Sequence, residues 1–164
     1  MHILATTSTR LEDLAEPVDL AQPPGDMVAL SFTDSDLNGL AGAWRALSRA
    51  PHPPPSLRLV RLKDLAHPMS VDLWAGQVAA RAKVVLVRQL GGLDWWRYGA
   101  EQLAALARAR GIALALLPGE DQDDPRLAAL STLPPAALSD WLGYFRAGGP
   151  DNMAALLRRM ARVA

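Results

Sequence analysis

The stretch Lys83–Tyr98, KVVLVRQLGGLDWWRY, constrains this chain more than any other. Lys83–Arg88 is a short apolar run, rich in β-branched residues and bounded by charges, which is the pattern of a buried parallel strand. Arg88-Gln89 is a polar exit leading into Leu90-Gly91-Gly92. Asp94 then stands where a carboxylate can cap a helix opening with Trp95 and Trp96. Strand, glycine turn and capped helix form the unit from which open α/β sheets are assembled. Such sheets hold ligands beyond the carboxyl ends of their strands, and this turn falls there.

The same alternation runs through most of the chain. Ile3–Thr6 reads as a first strand and Thr6–Thr9 as its hydroxyl-rich turn. Met27–Phe32 is a second apolar run, entered through the breaker Pro23-Pro24-Gly25. Thr33 and Asp36 have the spacing of a capping box. Leu37, Leu40, Ala41, Trp44 and Leu47 then form the stripe of an amphipathic helix, which His52–Pro55 stops. Leu57–Leu62, interrupted by Arg58 and Arg61, predicts a strand nearer the sheet edge. After the loop His67–Ser70, Ser70 is placed to cap a helix burying Val71, Trp74, Val78 and Ala82. The helix after Asp94 buries Trp96, Ala100, Leu103, Leu106 and Ala107 and ends at Gly111. Ile112–Leu117 is the fifth strand. Five strands joined by helices of this length imply crossovers and a mostly parallel sheet.

Beyond Gly119 the periodicity is helical only. An acidic turn, Glu120–Asp124, precedes two stripes: Leu138, Trp141, Leu142, Phe145, and then Met153, Leu156, Leu157, Met160. Gly148-Gly149-Pro150 separates them, with glycine past one helix and proline opening the next. The last helix carries Arg158, Arg159 and Arg162 with no closing turn, the look of a cut through a longer protein. The expected architecture is a flavodoxin/Rossmann-like, doubly wound, five-stranded parallel α/β sheet over residues 1–118. A helical extension over 119–164 leads towards a next domain.

Composition removes several functions. The 164 residues carry 17 basic and 17 acidic side chains, so the basic excess of a nucleic-acid-binding domain is missing. Without cysteine there are no disulfides, thiolate metal sites or cysteine nucleophiles. MHILATTSTR has neither the basic n-region nor the apolar h-region of a signal peptide, and no apolar run is long enough to span a bilayer. A cytoplasmic protein is expected, with no membrane or nucleic-acid partner.

The candidate site is the set of strand-end loops: Thr7 and Ser8, Asp34 and Ser35, His67, and Arg88, Gly91, Gly92, Asp94 and Trp95. Gly91-Gly92 fits neither the dinucleotide pattern nor the P-loop. It is a tight turn, or a loop whose amides face a carboxylate. Arg88, leaving a buried strand, suits bidentate carboxylate binding, or a salt bridge to Asp94 or Asp72. Trp96 fits the apolar stripe. Trp95 sits about 100° away, for a cleft, a neighbouring domain or simple partial burial. His67, like His2 and His52, has no second ligand at metal spacing, so zinc is not expected. The acidic turn lacks EF-hand spacing and suits a solvated helix cap. Ser8, Ser31 and Ser35 belong to no G-x-S-x-G elbow. No catalytic constellation is visible.

Five segments carry a resemblance: LATTSTRLEDLAEPVDLAQ, LSFTDSDL, RLKDLAHPMSVDLW, RQLGGLDWWRYG and ALLPGEDQDDPRLAALSTL. In that order and spacing the chain resembles the N-terminal part of the large subunit of aerobic cobaltochelatase (CobN type), a family related to the magnesium chelatase large subunit. The resemblance implies a head domain of a much longer tetrapyrrole-binding subunit. That subunit inserts cobalt into hydrogenobyrinic acid a,c-diamide during cobalamin biosynthesis, with an AAA+ ATPase and a companion subunit as partners. It further implies that ATP belongs to the partner, and that cobalt-handling residues lie mainly in the remainder of the large subunit. The segment itself is then expected to be non-catalytic and without a cofactor. Two other readings remain at this point: a docking domain for the ATPase partners without ligand contact, and a free-standing flavodoxin-like ligand-binding domain.

Overall fold

The computed structural model describes residues 16–164. Four parallel strands form its sheet: β1 (Met27–Ser31), β2 (Leu57–Arg61), β3 (Val84–Gln89) and β4 (Ala113–Pro118), in the order β2-β1-β3-β4. Among the described residues the sheet thus has four strands, not the five expected. The stretch Ile3–Thr6, expected as the remaining strand, and Thr7 and Ser8 after it lie outside the described residues. β2 is at an edge, as its interrupting arginines predict.

Each strand distributes alternate side chains to two apolar layers. Val28, Leu30, Val85, Val87, Leu114 and Leu116 face one cluster, which α2 (Pro68–Gln77), α3 (Arg97–Arg110) and α4 (Pro125–Leu130) complete through Trp74, Leu103 and Leu127. Met27, Ala29, Val84, Leu86, Ala115 and Leu117 face the other. There α1 (Asp34–Ser48), α5 (Pro135–Ala147) and α6 (Pro150–Val163) supply Leu40, Trp141, Leu142, Leu156 and Met160. Helices on both faces explain the near-continuous apolar runs, since a strand covered on both sides has no polar side to show. Burying each of the valine, leucine and methionine side chains contributes roughly 1.5–3 kcal/mol. The stretch 119–164 lies on the sheet: its two predicted stripes meet side chains of β1, β3 and β4 in one cluster.

Helix starts are where local patterns misled. Ser70 does not cap α2. Pro68 occupies the first helical position, His67 is the N-cap, and its Nδ1 accepts from Met69 N at 3.1 Å. Ser70 is buried inside the helix, where its Oγ accepts from Val18 N at 2.7 Å. Thr33 does cap α1, accepting from Ser35 N, but no reciprocal capping box closes. Thr33 N donates to Ser31 Oγ at 3.2 Å instead, and the Asp36 carboxylate turns elsewhere. Asp94 is not a cap either. Leu93–Trp96 is a 3-10 turn entered from Gly92, and α3 begins only at Arg97. The stop at Gly111 is as expected, with a left-handed φ of 68°.

Candidate functional site

Parallel pairing gathers the carboxyl ends of all four strands on one rim, with Ser31 in register with both Arg61 and Arg88, and Gln89 with Pro118. Connections run outward in opposite directions from β1 and β3, so the gap between their ends is where an open α/β sheet ordinarily receives a ligand. This chain fills that gap with its own side chains. Phe32, directly after β1, reaches across the end of β3 towards the start of the loop after β4. A Cβ on Gly119 would lie only 2.7 Å from the Phe32 ring and 3.2 Å from Leu90 Cα. Gly119 therefore has to be a glycine for the ring to lie there.

Arg88 sits between the Phe32 ring and the Phe145 ring of α5, 5.6 and 4.9 Å from their centroids. Its Nη1 donates to both oxygens of Asp36 at 3.1 Å. Its Nε donates to Pro118 O and its Nη2 to Gly119 O, at 3.3 and 3.2 Å. The Asp36 carboxylate also accepts from Ser31 Oγ at 2.7 Å. Both charged side chains are only 11 and 12% exposed. The partner of Arg88 is thus neither Asp94 nor Asp72, because β3 alternation turns Arg88 towards α1 and α5, away from the α2–α3 layer. An arginine with three nitrogens engaged and a carboxylate already in place acts as a clamp across three strand ends.

On the other face Gln89 is fully buried, with Nε2 donating to Gly92 O at 2.7 Å and to Leu93 O at 3.4 Å. Its Oε1 has no partner among the described residues. Gly91 and Gly92 both have left-handed φ, 76° and 73°, which side-chain-bearing residues rarely adopt. Gly91 N donates to the Glu120 carboxylate at 2.8 Å, so that amide is taken by the acidic turn. Trp95 is half-buried against the Gly91 backbone and the α2–α3 layer. Trp96 is buried, as its stripe position predicts, with Nε1 donating to Leu65 O.

Asp94 lies in the open and accepts from Arg126 at 3.2 Å and from Arg97. Hydrogen bonds from Arg126 and then Arg97 hold its pKa down at about 2. Asp34 pairs with Arg61 at 3.1 Å, also exposed. Ser35, together with Asp36, Asn38, Gly39, Phe145 and Gly149, lines a cavity of about 560 Å³ between α1 and the α5–α6 turn. His67 is spent on its cap. The rim thus brings Ser35 beside the Arg88 pair and leaves Asp94 in a separate surface cluster. Phe32 and Phe145 were not among the residues picked out from the sequence, and with Asp36 they meet Arg88 only through tertiary packing. No group of three or more His, Cys, Asp or Glu among the described residues could hold a metal ion. No helix there is long and apolar enough to cross a membrane.

No family model matches the chain. The aerobic cobaltochelatase subunit CobN of Pseudomonas aeruginosa is 41% identical over 161 residues, covering 98% of this chain and 13% of that protein. CobN of Sinorhizobium sp. is 37% identical over 157 residues, covering 96% of this chain and 12% of that protein. The catalytic subunit of cobaltochelatase from Mycobacterium tuberculosis shares the fold at a TM-score of 0.65 and 22% identity, over 87% of this chain and 10% of that one. The chain therefore matches a segment of CobN-type cobaltochelatase subunits, spanning 13 and 12% of the two curated relatives.

Proposed function

We propose that this chain is the N-terminal head domain of the tetrapyrrole-binding subunit of an ATP-dependent cobaltochelatase. That enzyme inserts cobalt into hydrogenobyrinic acid a,c-diamide on the way to cobalamin. The 41% identity to CobN over nearly the whole chain carries this reading. Cobalt and tetrapyrrole are then substrates of the complete subunit, and ATP is hydrolysed by an AAA+ partner. The domain's own part is non-catalytic. It presents a rigid rim, locked by Arg88 and Asp36, against which the rest of the subunit shapes its cleft. The test is to delete residues 1–164 from the complete subunit and reconstitute it with its partners. Cobalt insertion and tetrapyrrole affinity should both fall by roughly tenfold or more. An undiminished deletion mutant would remove the proposal.

The self-filled gap between β1 and β3 favours a second reading, a docking domain for the ATPase partners that never touches the substrate. Under that reading the same deletion abolishes assembly in a pull-down and leaves tetrapyrrole binding by the remaining subunit intact. Assembly that survives the deletion rules it out.

A further inference from the structure

β4 is the sheet edge opposite β2, and its open side is covered over only part of its length. Ala113 N and Gly119 N turn inward to Lys83 O and Gln89 O. By the two-residue alternation of a strand, Leu114 and Leu116 therefore turn their backbone groups outward. The link between α4 and α5 closes the first of these. Thr132 N and Leu133 N donate to Leu114 O at 3.0 and 3.2 Å, and Leu114 N donates to Thr132 Oγ1 at 2.7 Å. Leu116 N donates to Ser131 Oγ at 2.9 Å, and among the described residues the cover ends there. Alongside Leu116 and Leu117 a cavity of about 430 Å³ opens between α4 and α5, with Ala129 and Leu142 on its walls and Asp123 and Asp124 at its mouth.

We propose that this cavity seats a segment of a partner protein bearing one large apolar side chain beside a lysine or arginine. Its volume lies in the ~300–1,000 Å³ range of ligand sites, and its walls are mostly apolar. Charge selects the occupant's sign. Asp123 and Asp124 line the cavity, and Asp121 precedes them in the same loop, while the nearby Arg126 is committed to Asp94. Asp123 pairs with Arg146 at 3.9 Å and accepts from Ser139 Oγ at 3.0 Å, which leaves the loop net negative. A negative mouth attracts a basic segment and repels a carboxylate-bearing tetrapyrrole. The outward carbonyl of Leu116 offers an acceptor to the backbone N–H of an extended chain, as sheet edges do in strand-addition complexes. The inference stands whether or not the domain borders a substrate cleft.

Random-peptide display against the intact chain tests it, with two variants as controls. Ala129→Trp fills the cavity from an exposed helix position, and Asp123→Lys reverses charge at the mouth; circular dichroism checks that each keeps its fold. Selected peptides should pair a large apolar residue with lysine or arginine. A fluorescent synthetic copy of the leading peptide should bind roughly tenfold or more weakly to either variant, and more weakly in added salt. Acidic or uncharged selected peptides would overturn the proposal. So would selection that Ala129→Trp leaves unchanged, or the absence of any enrichment. Displacement of the peptide by uroporphyrin would overturn it in favour of a small anionic ligand.

Discussion

Two arginine–aspartate clusters stand on one rim, built from the same chemistry and placed in different surroundings. Arg88 and Asp36 are nearly enclosed, flanked by two aromatic rings and two accepting backbone carbonyls. Arg97, Arg126 and Asp94 are 42, 53 and 62% exposed and surround one carboxylate in solvent. Coulomb attraction is similar in kind at both, but water screens the second and barely reaches the first. The enclosed pair joins α1, β3 and the loop after β4; the open one ties the start of α3 to α4. The former should hold the fold at the strand ends, and the latter should tune its surface.

The largest effect should come from Asp36→Ala, which strands the Arg88 charge in its enclosure. A loss of about 3 kcal/mol is expected by urea unfolding, the low end of values for broken buried pairs because the site retains slight exposure. Gly119→Ala follows, since the added methyl must push against the Phe32 ring at 2.7 Å; about 1–3 kcal/mol is expected in the same assay. His67→Ala, outside both clusters, removes a helix cap and should cost about 1 kcal/mol. Asp94→Asn should change the melting temperature least, and added salt should shrink the difference further.

Asp94 also sharpens the contrast through pH. Its folded pKa of about 2 lies below the ordinary 3.8, so the unfolded chain takes up its proton first on acidification. Its stabilising contribution is complete above about pH 4 and disappears as pH falls through about 2. Asp94→Asn should therefore be slightly less stable than the parent at neutral pH, and the two curves should converge as pH falls from about 4 to about 2. A variant whose curve differed from the parent at pH 7 but ran parallel to it below pH 4 would contradict the assignment.

What the sequence displays follows from range. Apolar runs and stripes are local, so β1 to β4, the helix faces carrying Trp74, Leu103 and Trp141, and the stop at Gly111 were all readable. Helix starts were less so, because serine, threonine and aspartate fit several neighbouring positions. At α2 the better signal was Pro68, which favours the first helical position and makes His67 the cap. At Asp94 the two glycines with left-handed φ delay the helix by a 3-10 turn. The site itself was largely hidden. Asp36 carries the spacing of a capping box, yet its carboxylate goes to an arginine 52 positions away. Phe32 and Gly119 are related only through the gap that one fills and the other permits. Nor does periodicity say which face of a sheet a stripe will cover, and that choice placed α5 and α6 beside α1.

The central claim is that Arg88 and Asp36 act as one closed unit where sheets of this kind usually hold a ligand. A double-mutant cycle with Asp36→Leu and Arg88→Met, read by urea unfolding of all four proteins, tests it most directly. A coupling of about 2 kcal/mol or more, with the double variant more stable than either single one, is the predicted result. Additive losses, with coupling below about 0.5 kcal/mol, would mean that the two side chains act independently, and the closed rim would have to be abandoned.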